Sequence, residues 1–231
     1  MNNPPVIDVI IPAYNEENSV GKVVNALPRA MLRHIIVVNN NSNDATRANA
    51  EKAGAVVLDE KQQGYGFACL CGMAWIAQQE VKPDIVVFVD ADYSDRPEEL
   101  PQLIAPVVNE GIDLVIGSRA LGNREKGSMT PQQVFGNWLA TTLMRWLYGV
   151  RYTDLGPFRA VKYASLLKIA MRDTTYGWTV EMQLKAAKLK MKTAEVPVTY
   201  RRRIGFSKIS GTVKGTILAG YKIITTIFKY W

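Results

Sequence analysis

Asp90-Ala91-Asp92 sets two carboxylates on either side of one small residue. The stretch before them, Asp84-Ile85-Val86-Val87-Phe88-Val89, is a short apolar run rich in β-branched side chains, which predicts a buried strand rather than a helix. Both carboxylates then stand at the strand's C-terminal end, the edge where open α/β sheets bind ligands. Two hard oxygen donors at that spacing suit Mg²⁺ or Mn²⁺, and such an ion can neutralise a diphosphate. A solvated turn is the competing reading of so short a motif, and the rest of the chain has to decide between them.

The elements around this motif alternate. Val6 to Ile11 reads as a first strand, ending in the polar loop Pro12-Ala13-Tyr14-Asn15-Glu16-Glu17 and an amphipathic segment from Ser19 to Leu27. His34 to Val38 is a second strand, followed by Asn39-Asn40-Asn41-Ser42-Asn43-Asp44 and a helix to Ala53 that Gly54 can close. Ala55 to Leu58 gives a third strand, and a turn at Gln62-Gln63-Gly64-Tyr65-Gly66 enters a helix to Gln79. After the Asp90 strand, Pro97 to Glu110 is helical and Leu114 to Ile116 is a fifth strand. This repetition predicts an α/β fold, a mostly parallel sheet covered by helices on both faces.

The 231 residues suit one such domain, and 48% hydrophobic with 21% charged residues exclude disorder and low complexity. The net charge is +7, unevenly spread: from Lys185 onward eleven Lys and Arg residues face one acid, Glu195. That asymmetry points to an anionic partner. Cys69 and Cys71 fall on different faces of one helix, which fits a reducing compartment. Met1 to Asp8 lacks the basic and apolar regions of a signal peptide.

Pro12-Ala13-Tyr14-Asn15-Glu16, Ile36-Val37-Val38-Asn39-Asn40-Asn41-Ser42-Asn43-Asp44, Asp90-Ala91-Asp92 and Gly117-Ser118-Arg119, each after a strand, together resemble a family 2 glycosyltransferase with the Rossmann-like GT-A fold. Thr153-Asp154-Leu155-Gly156-Pro157-Phe158-Arg159 and Tyr200-Arg201-Arg202-Arg203-Ile204-Gly205-Phe206-Ser207-Lys208 narrow the resemblance to the dolichyl- and polyprenyl-phosphate mannose and glucose synthase branch. The resemblance implies an inverting transfer of a hexose from a nucleotide sugar to polyprenyl phosphate. Asp92 and Asp90 would hold Mg²⁺ or Mn²⁺ against the departing diphosphate. It implies nucleotide contacts at Pro12, Ala13, Tyr14, Glu16, Asn39, Asn41, Asp90 and Ala91. Asn39 stands where relatives usually carry an aspartate; an amide can pair with both edges of uracil, whereas guanine prefers a carboxylate, so UDP is favoured over GDP. Asp95, just beyond Asp92, is in reach of a bound water or ligand, but reads rather as the cap of the helix beginning near Pro97.

The second half is then the acceptor side. Arg119, Arg124, Arg203 and Lys208 are candidates for gripping phosphate oxygens, with Arg124 equally readable as solvated. Val180 to Leu189 reads as a helix; in its first turn Glu181 is a general base if the acceptor is a hydroxyl and a sugar ligand if it is a phosphate, and Trp178 just before it stacks on the sugar or the first isoprene, or sits in the core. Pro131 to Leu147 is a helix with a greasy face at Val134, Trp138, Leu139, Thr142, Leu143, Trp146 and Leu147, read as core packing or as a lipid contact. From Gly211 to Trp231, Lys214, Lys222 and Lys229 share one quadrant, while Val213, Ile217, Tyr221, Ile224, Phe228 and Trp231 share the next. This C-terminal amphipathic helix reads as interfacial, or as docked on the domain. The expected organisation is a nucleotide half at 1–119, an acceptor half at 120–210 and this helix at 211–231, in a cytoplasmic protein peripheral to the inner face of the membrane. Oligomers are compatible with it. A hydroxyl-acceptor transferase and a non-catalytic nucleotide-sugar binder are the other readings; nucleic acid is not expected, because it leaves the Asp90 and Asn39 loops without a purpose.

Overall fold

The computed structural model describes residues 4–205 and 213–231. Its elements run β1 (Ile7–Ala13), α1 (Val20–Ala26), β2 (His34–Asn39), α2 (Thr46–Lys52), β3 (Val56–Asp59), α3 (Tyr65–Gln78), β4 (Ile85–Phe88), α4 (Leu100–Asn109), β5 (Leu114–Ser118), α5 (Pro131–Tyr148), β6 (Arg159–Lys162), α6 (Tyr163–Ile169), α7 (Trp178–Lys188), β7 (Thr193–Pro197) and α8 (Val213–Lys229). One seven-stranded sheet has the order β3-β2-β1-β4-β6-β5-β7. All neighbours are parallel except β6, which runs against both β4 and β5. The expected mostly parallel α/β sheet is therefore present.

Strand register places the site. β1, β2 and β4 run parallel, Ala13 pairing with Asn39 and Ile10 with Phe88, so β1 and β2 end together, β4 ends three residues short of them, and the loops that follow all three share one edge. Successive strands lie on opposite sides of β1, which makes the gap between β1 and β4 a topological switch point, the usual ligand crevice of such sheets. Along β1, Ile10 faces one core and Val9 and Ile11 the other. Burial on both faces is why these strands are continuous apolar runs rather than alternating ones. Gly72 lets α3 lie against β1, since a Cβ there would come within 2.9 Å of Ile10.

Three local expectations are revised. Residues 97–99 form a 3₁₀ turn ahead of α4, and Asp95 does not cap it: neither helix start has a side-chain cap. The antiparallel β6 and the short α6 were not anticipated, because a four-residue strand opening on an arginine has neither the length nor the pattern of its neighbours. Thirdly, the predicted face of α5 is split: Leu143 and Leu147 pack against the core beside the buried Ala140, Thr141 and Met144, whereas Val134, Trp138 and Trp146 are exposed together with Phe135. Its termini are strongly marked, by a Thr130/Gln133 capping box and by Gly149 in the left-handed conformation.

The last helix docks on the domain and still keeps an apolar outer stripe. Thr226 and Ile227 are buried, the Tyr148 hydroxyl donates to Ile227 O at 2.5 Å, and Lys222 pairs with Asp173 at 2.9 Å. Ile217, Tyr221, Phe228 and Trp231 face outward. Lys208 and the side chains of Val213 and Lys214 lie outside the described residues.

Candidate active site

Asp90 and Asp92 open on a cavity of about 310 Å³ at the switch-point edge. Its walls come from the second half of the chain: Gly136 and Asn137 of α5, Trp178 and Thr179 at the start of α7, and Ala219, Gly220 and Ile223 of α8. Asp90 is held by the Tyr65 hydroxyl, which donates to Oδ1 at 3.0 Å from the first residue of α3. Burial, and then the neighbouring Asp92, push the Asp90 carboxyl up to about 7. Asp92 Oδ1 accepts from the backbone N–H and hydroxyl of Ser94 at 2.8 and 2.5 Å, a turn that Tyr93 completes with φ +62°.

A second segment crosses this turn. Arg201 N–H donates to Ser94 O, Ile204 N–H to Asp92 O, and the Arg201 guanidinium stacks 3.4 Å from the centre of the Tyr93 ring. The crossing delivers Arg203 between two acids: its Nη1 is 3.3 Å from Asp92 Oδ2 and its Nη2 2.9 Å from Glu16 Oε1. Arg203, Glu16 and Asp92 are thus brought together from loops far apart in the chain. Arg119 also lines the cavity, fixed by Asp154, which accepts from its Nε at 2.8 Å and its Nη2 at 2.6 Å, and by the Tyr200 ring 5.0 Å below. Burial acts against the Arg119 charge, but Asp154 outweighs it and holds the guanidinium firmly protonated.

The β1 and β2 loops are tied to each other. Asn15 N–H donates to Ser42 Oγ, Asn43 N–H to Asn15 Oδ1, and Glu16 N–H to Thr46 Oγ1 at 2.7 Å. Tyr14 is half-buried and Asn41 exposed with φ +61°, while Ala13 and Ala91 are buried and can offer a ligand only backbone. Pro12 lies within β1, paired with Val38. Asn39 does not present its amide freely: Nδ2 donates to Asp59 Oδ1 at 2.9 Å and Oδ1 accepts from Ser42 N–H at 3.3 Å. Asp59, also paired with Arg47, is held below the usual carboxylate range chiefly by that Asn39 bond. A carboxylate therefore stands beside the asparagine after all.

Three expected residues are not placed for the roles expected of them. Glu181 is buried, and its oxygens accept from the N–H groups of Arg172 and Asp173, from Lys185 at 2.7 Å and from the Tyr230 hydroxyl at 2.6 Å. Burial would raise it, but these donors win and hold it below its ordinary value. It does not line the cavity. Arg124 is exposed, with only the Met129 sulfur at 3.5 Å. Trp178 does line the cavity, yet its ring is 1% exposed and packs edge-on against Phe88, which leaves no open face for stacking.

Sequence reading missed Tyr65, Asp59, Asp154 and Tyr200 as parts of this arrangement. Asp154 and Tyr200 carry a signal, since both sit in motifs already singled out. Tyr65 and Asp59 carry none, because only register and helix placement bring them to Asp90 and Asn39. Asp95 is different again: it is buried with no hydrogen-bond partner on either oxygen among the described residues, and burial and then Asp90 raise it well above the carboxylate range.

Among the described residues no three His, Cys, Asp or Glu side chains are grouped to hold a metal. Asp90 and Asp92 supply two hard oxygens at a cavity edge. Mg²⁺ is commonly bound through one or two carboxylates, with phosphates and water completing its shell, so the donor set fits a divalent ion that arrives with a diphosphate.

Residues 8–169 match the family described as glycosyl transferase family 2. An undecaprenyl-phosphate mannosyltransferase of Micrococcus luteus is 31% identical, over 89% of this chain and 88% of its own. A polyprenol monophosphomannose synthase of Mycolicibacterium smegmatis is 32% identical, over 88% and 81%. Among solved structures, glucosyl-3-phosphoglycerate synthase from Mycobacterium tuberculosis, in complex with Mn²⁺, UDP and phosphoglyceric acid, superposes with a TM-score of 0.77 at 22% identity, covering 98% of this chain and 78% of that one.

Proposed function

The chain belongs to glycosyl transferase family 2, and from that membership we propose that it carries a hexose from a UDP-sugar to polyprenyl phosphate, with inversion and with Mg²⁺ or Mn²⁺. One observation carries the acceptor. Among the described residues lining the cavity, the acids are Asp90 and Asp92 and the cations are Arg119 and Arg203. A hydroxyl acceptor needs a general base within hydrogen-bond reach. Glu181 is consumed elsewhere, and no other carboxylate or histidine lines the cavity. A phosphate oxygen is already ionised at neutral pH and calls for cations instead.

In this reading Asp90 and Asp92 would hold the metal, which when bound would supply Lewis-acid stabilisation of the leaving diphosphate. Arg203 exchanges its carboxylate contacts for diphosphate oxygens, and Glu16, freed from it, accepts from a ribose hydroxyl. Arg119, with Nε and Nη2 committed to Asp154, offers Nη1 to the acceptor phosphate. An acceptor phosphate oxygen forms the new bond to the anomeric carbon as the bond to the diphosphate oxygen breaks on the opposite side, and the diphosphate leaves with the electron pair. The division into a nucleotide half at 1–119, an acceptor half at 120–210 and a helix at 211–231 follows the same reading. So does a peripheral position at the cytoplasmic face of the membrane. The names of the two polyprenol-linked relatives support the acceptor, and the UDP and Mn²⁺ of the solved neighbour support donor and metal.

The test is transfer of label from UDP-glucose, UDP-N-acetylglucosamine, UDP-galactose and GDP-mannose to polyprenyl phosphate, with Mg²⁺, Mn²⁺ or EDTA, followed by organic extraction. Metal-dependent extractable label is expected, and Asp92→Ala should lower it by about 10³-fold, the several kcal/mol of charge stabilisation a metal supplies. Metal-dependent UDP binding with no label in the organic phase would point to a hydroxyl acceptor. Loss of both would point to a non-catalytic binder.

A GDP-sugar is the second reading, favoured by the Asp59 carboxylate beside Asn39 and by the mannose in both relatives' names. Calorimetry decides between them. UDP should bind at least tenfold more tightly than GDP and Asp59→Asn should leave that ratio unchanged; tighter GDP binding that Asp59→Asn abolishes would reverse the donor assignment.

A further inference from the structure

A second cavity, of about 350 Å³, lies where the end of α8 rests on α6 and α7. Its rim carries Lys168, Arg172, Lys185, Lys188 and Lys229, and no acidic side chain lines it among the described residues. The nearest carboxylate, Glu181, is buried and already taken up by Lys185, Tyr230 and two backbone N–H groups. Two of the cations are likewise engaged: Lys185 donates to Ala170 O at 2.6 Å and Lys188 to Tyr230 O at 2.8 Å. Lys168, Arg172 and Lys229 make no ion pair among the described residues and converge on one concavity. Like charges gathered without a counter-charge are a cost to the fold that a bound anion removes.

The floor is apolar, formed by Ile169, Ala170, Leu189 and the Tyr230 ring. Outside the rim, Leu167 follows the same pattern as Leu189 and Phe228: each is about half exposed and next in sequence to a rim cation, Lys168, Lys188 or Lys229. Trp231 beside them is 71% exposed. A soluble anion has no use for this apolar surround, whereas the boundary between headgroups and acyl chains wets both parts.

We infer that this basic cavity is a binding site for the phosphate of an anionic phospholipid, distinct from the Asp90 cavity and independent of the transfer reaction. Lys168, Arg172 and Lys229 take the phosphate oxygens, and the flanking apolar side chains enter the headgroup layer. Because α8 also walls the first cavity through Ala219, Gly220 and Ile223, a headgroup held by Lys229 secures that wall against the domain.

The test uses the full chain with no donor or acceptor, so that it does not depend on transfer. Binding to phosphatidylcholine vesicles is compared with binding to vesicles containing one-fifth phosphatidylglycerol, by co-sedimentation. The expected preference for the anionic vesicles falls on the order of 100-fold in K168Q/R172Q/K229Q, at about fivefold for each cation near an anionic surface. K168R/R172K/K229R keeps it, and K22Q/K52Q/K61Q, which removes the same charge from a distant surface, leaves it unchanged. Equal binding to both vesicle types, or an equal loss in the two glutamine variants, overturns the site. An inorganic-phosphate-dependent rise in melting temperature that K168Q/R172Q/K229Q abolishes, without any vesicle preference, overturns the lipid as the source of the phosphate.

Discussion

A carboxylate that is to hold a dication must be ionised, yet Asp90 is placed where ionisation is costly. Burial and Asp92 bring it to about 7, so proton and metal compete in the working range, and metal affinity should fall as pH drops below about 7. The same shift has a sign for stability. The folded chain keeps the Asp90 proton to about 7 while the unfolded chain releases it near 3.8, so between those values the folded state binds more protons and stability falls as pH rises. Asp95, raised for similar reasons, acts in the same direction. Asp90→Asn keeps the acceptor for Tyr65 and removes the charge. In EDTA it should be more stable than the parent by about 4 kcal/mol at pH 8 and little different at pH 4, as measured by thermal unfolding, while losing metal-dependent UDP binding. A variant destabilised at pH 8 would show that Asp90 is ionised without strain. The Asp90 and Asp92 pair was legible in the sequence because strand pattern alone puts both at a sheet edge. What holds them, Tyr65 and Arg203, was less so: Arg203 stood out as one of several cations, and Tyr65 comes from a different turn altogether.

Glu181 shows how an element can be read correctly and its side chain misplaced. The helix was predicted within two residues of α7, and a carboxylate in the first turn of a helix facing the acceptor half looks catalytic. What the sequence does not display is that residues 170–173 and the last turn of α8 close over it, converting it into the buried joint between α6, α7 and α8. Removing one partner of a buried charged pair costs about 3–5 kcal/mol, less when an amide keeps some of the bonds. Glu181→Gln should therefore lower stability by about 2–3 kcal/mol and the melting temperature by several degrees, with turnover per folded molecule within about threefold of the parent. A 10²-fold or greater loss of turnover in a stably folded variant would return Glu181 to the chemistry. The unforeseen β6 and α6 have a related cause. After α5 the loop at 149–158 leaves the chain at the ligand edge, and it re-enters the sheet in the reverse direction, a topological fact that no local pattern encodes. Arg159, buried at the first position of β6, is satisfied by Gly156 O and Thr179 O, which makes an interior arginine tolerable and disguises the strand.

At the scale of the molecule, the sheet edge forms one side of the cavity, the side the proposed function gives to the nucleotide, and α5 and α8 help close the other, and both helices carry aromatic residues outward. On α5 these are Phe135, Trp138 and Trp146; on α8 they are Tyr221 and Phe228, joined by the aliphatic Ile217, with Trp231 just beyond. Among the described residues no helix is long and apolar enough to cross a membrane. Large apolar side chains exposed in number on one pair of helices mark a contact, and Trp and Tyr favour the headgroup layer. The helical period made the α8 stripe legible, whereas for α5 it could not tell the covered part of the apolar face, Leu143 and Leu147, from the exposed part, Val134, Trp138 and Trp146, since only the packing of α5 on α7 and α8 decides which side is covered. If the stripes seat the cavity mouth on a bilayer, they should matter only for acceptors embedded in one. W138S/W146S/Y221S/W231S alters exposed positions and should fold normally. In neutral phosphatidylcholine vesicles its transfer to a long polyprenyl phosphate should fall at least tenfold through a higher KM, while transfer to a water-soluble short-chain prenyl phosphate stays within about twofold of the parent. Equal losses on both acceptors would mean that the aromatic residues shape the cavity itself. No loss on either would mean that the outer faces of α5 and α8 serve some contact other than the membrane.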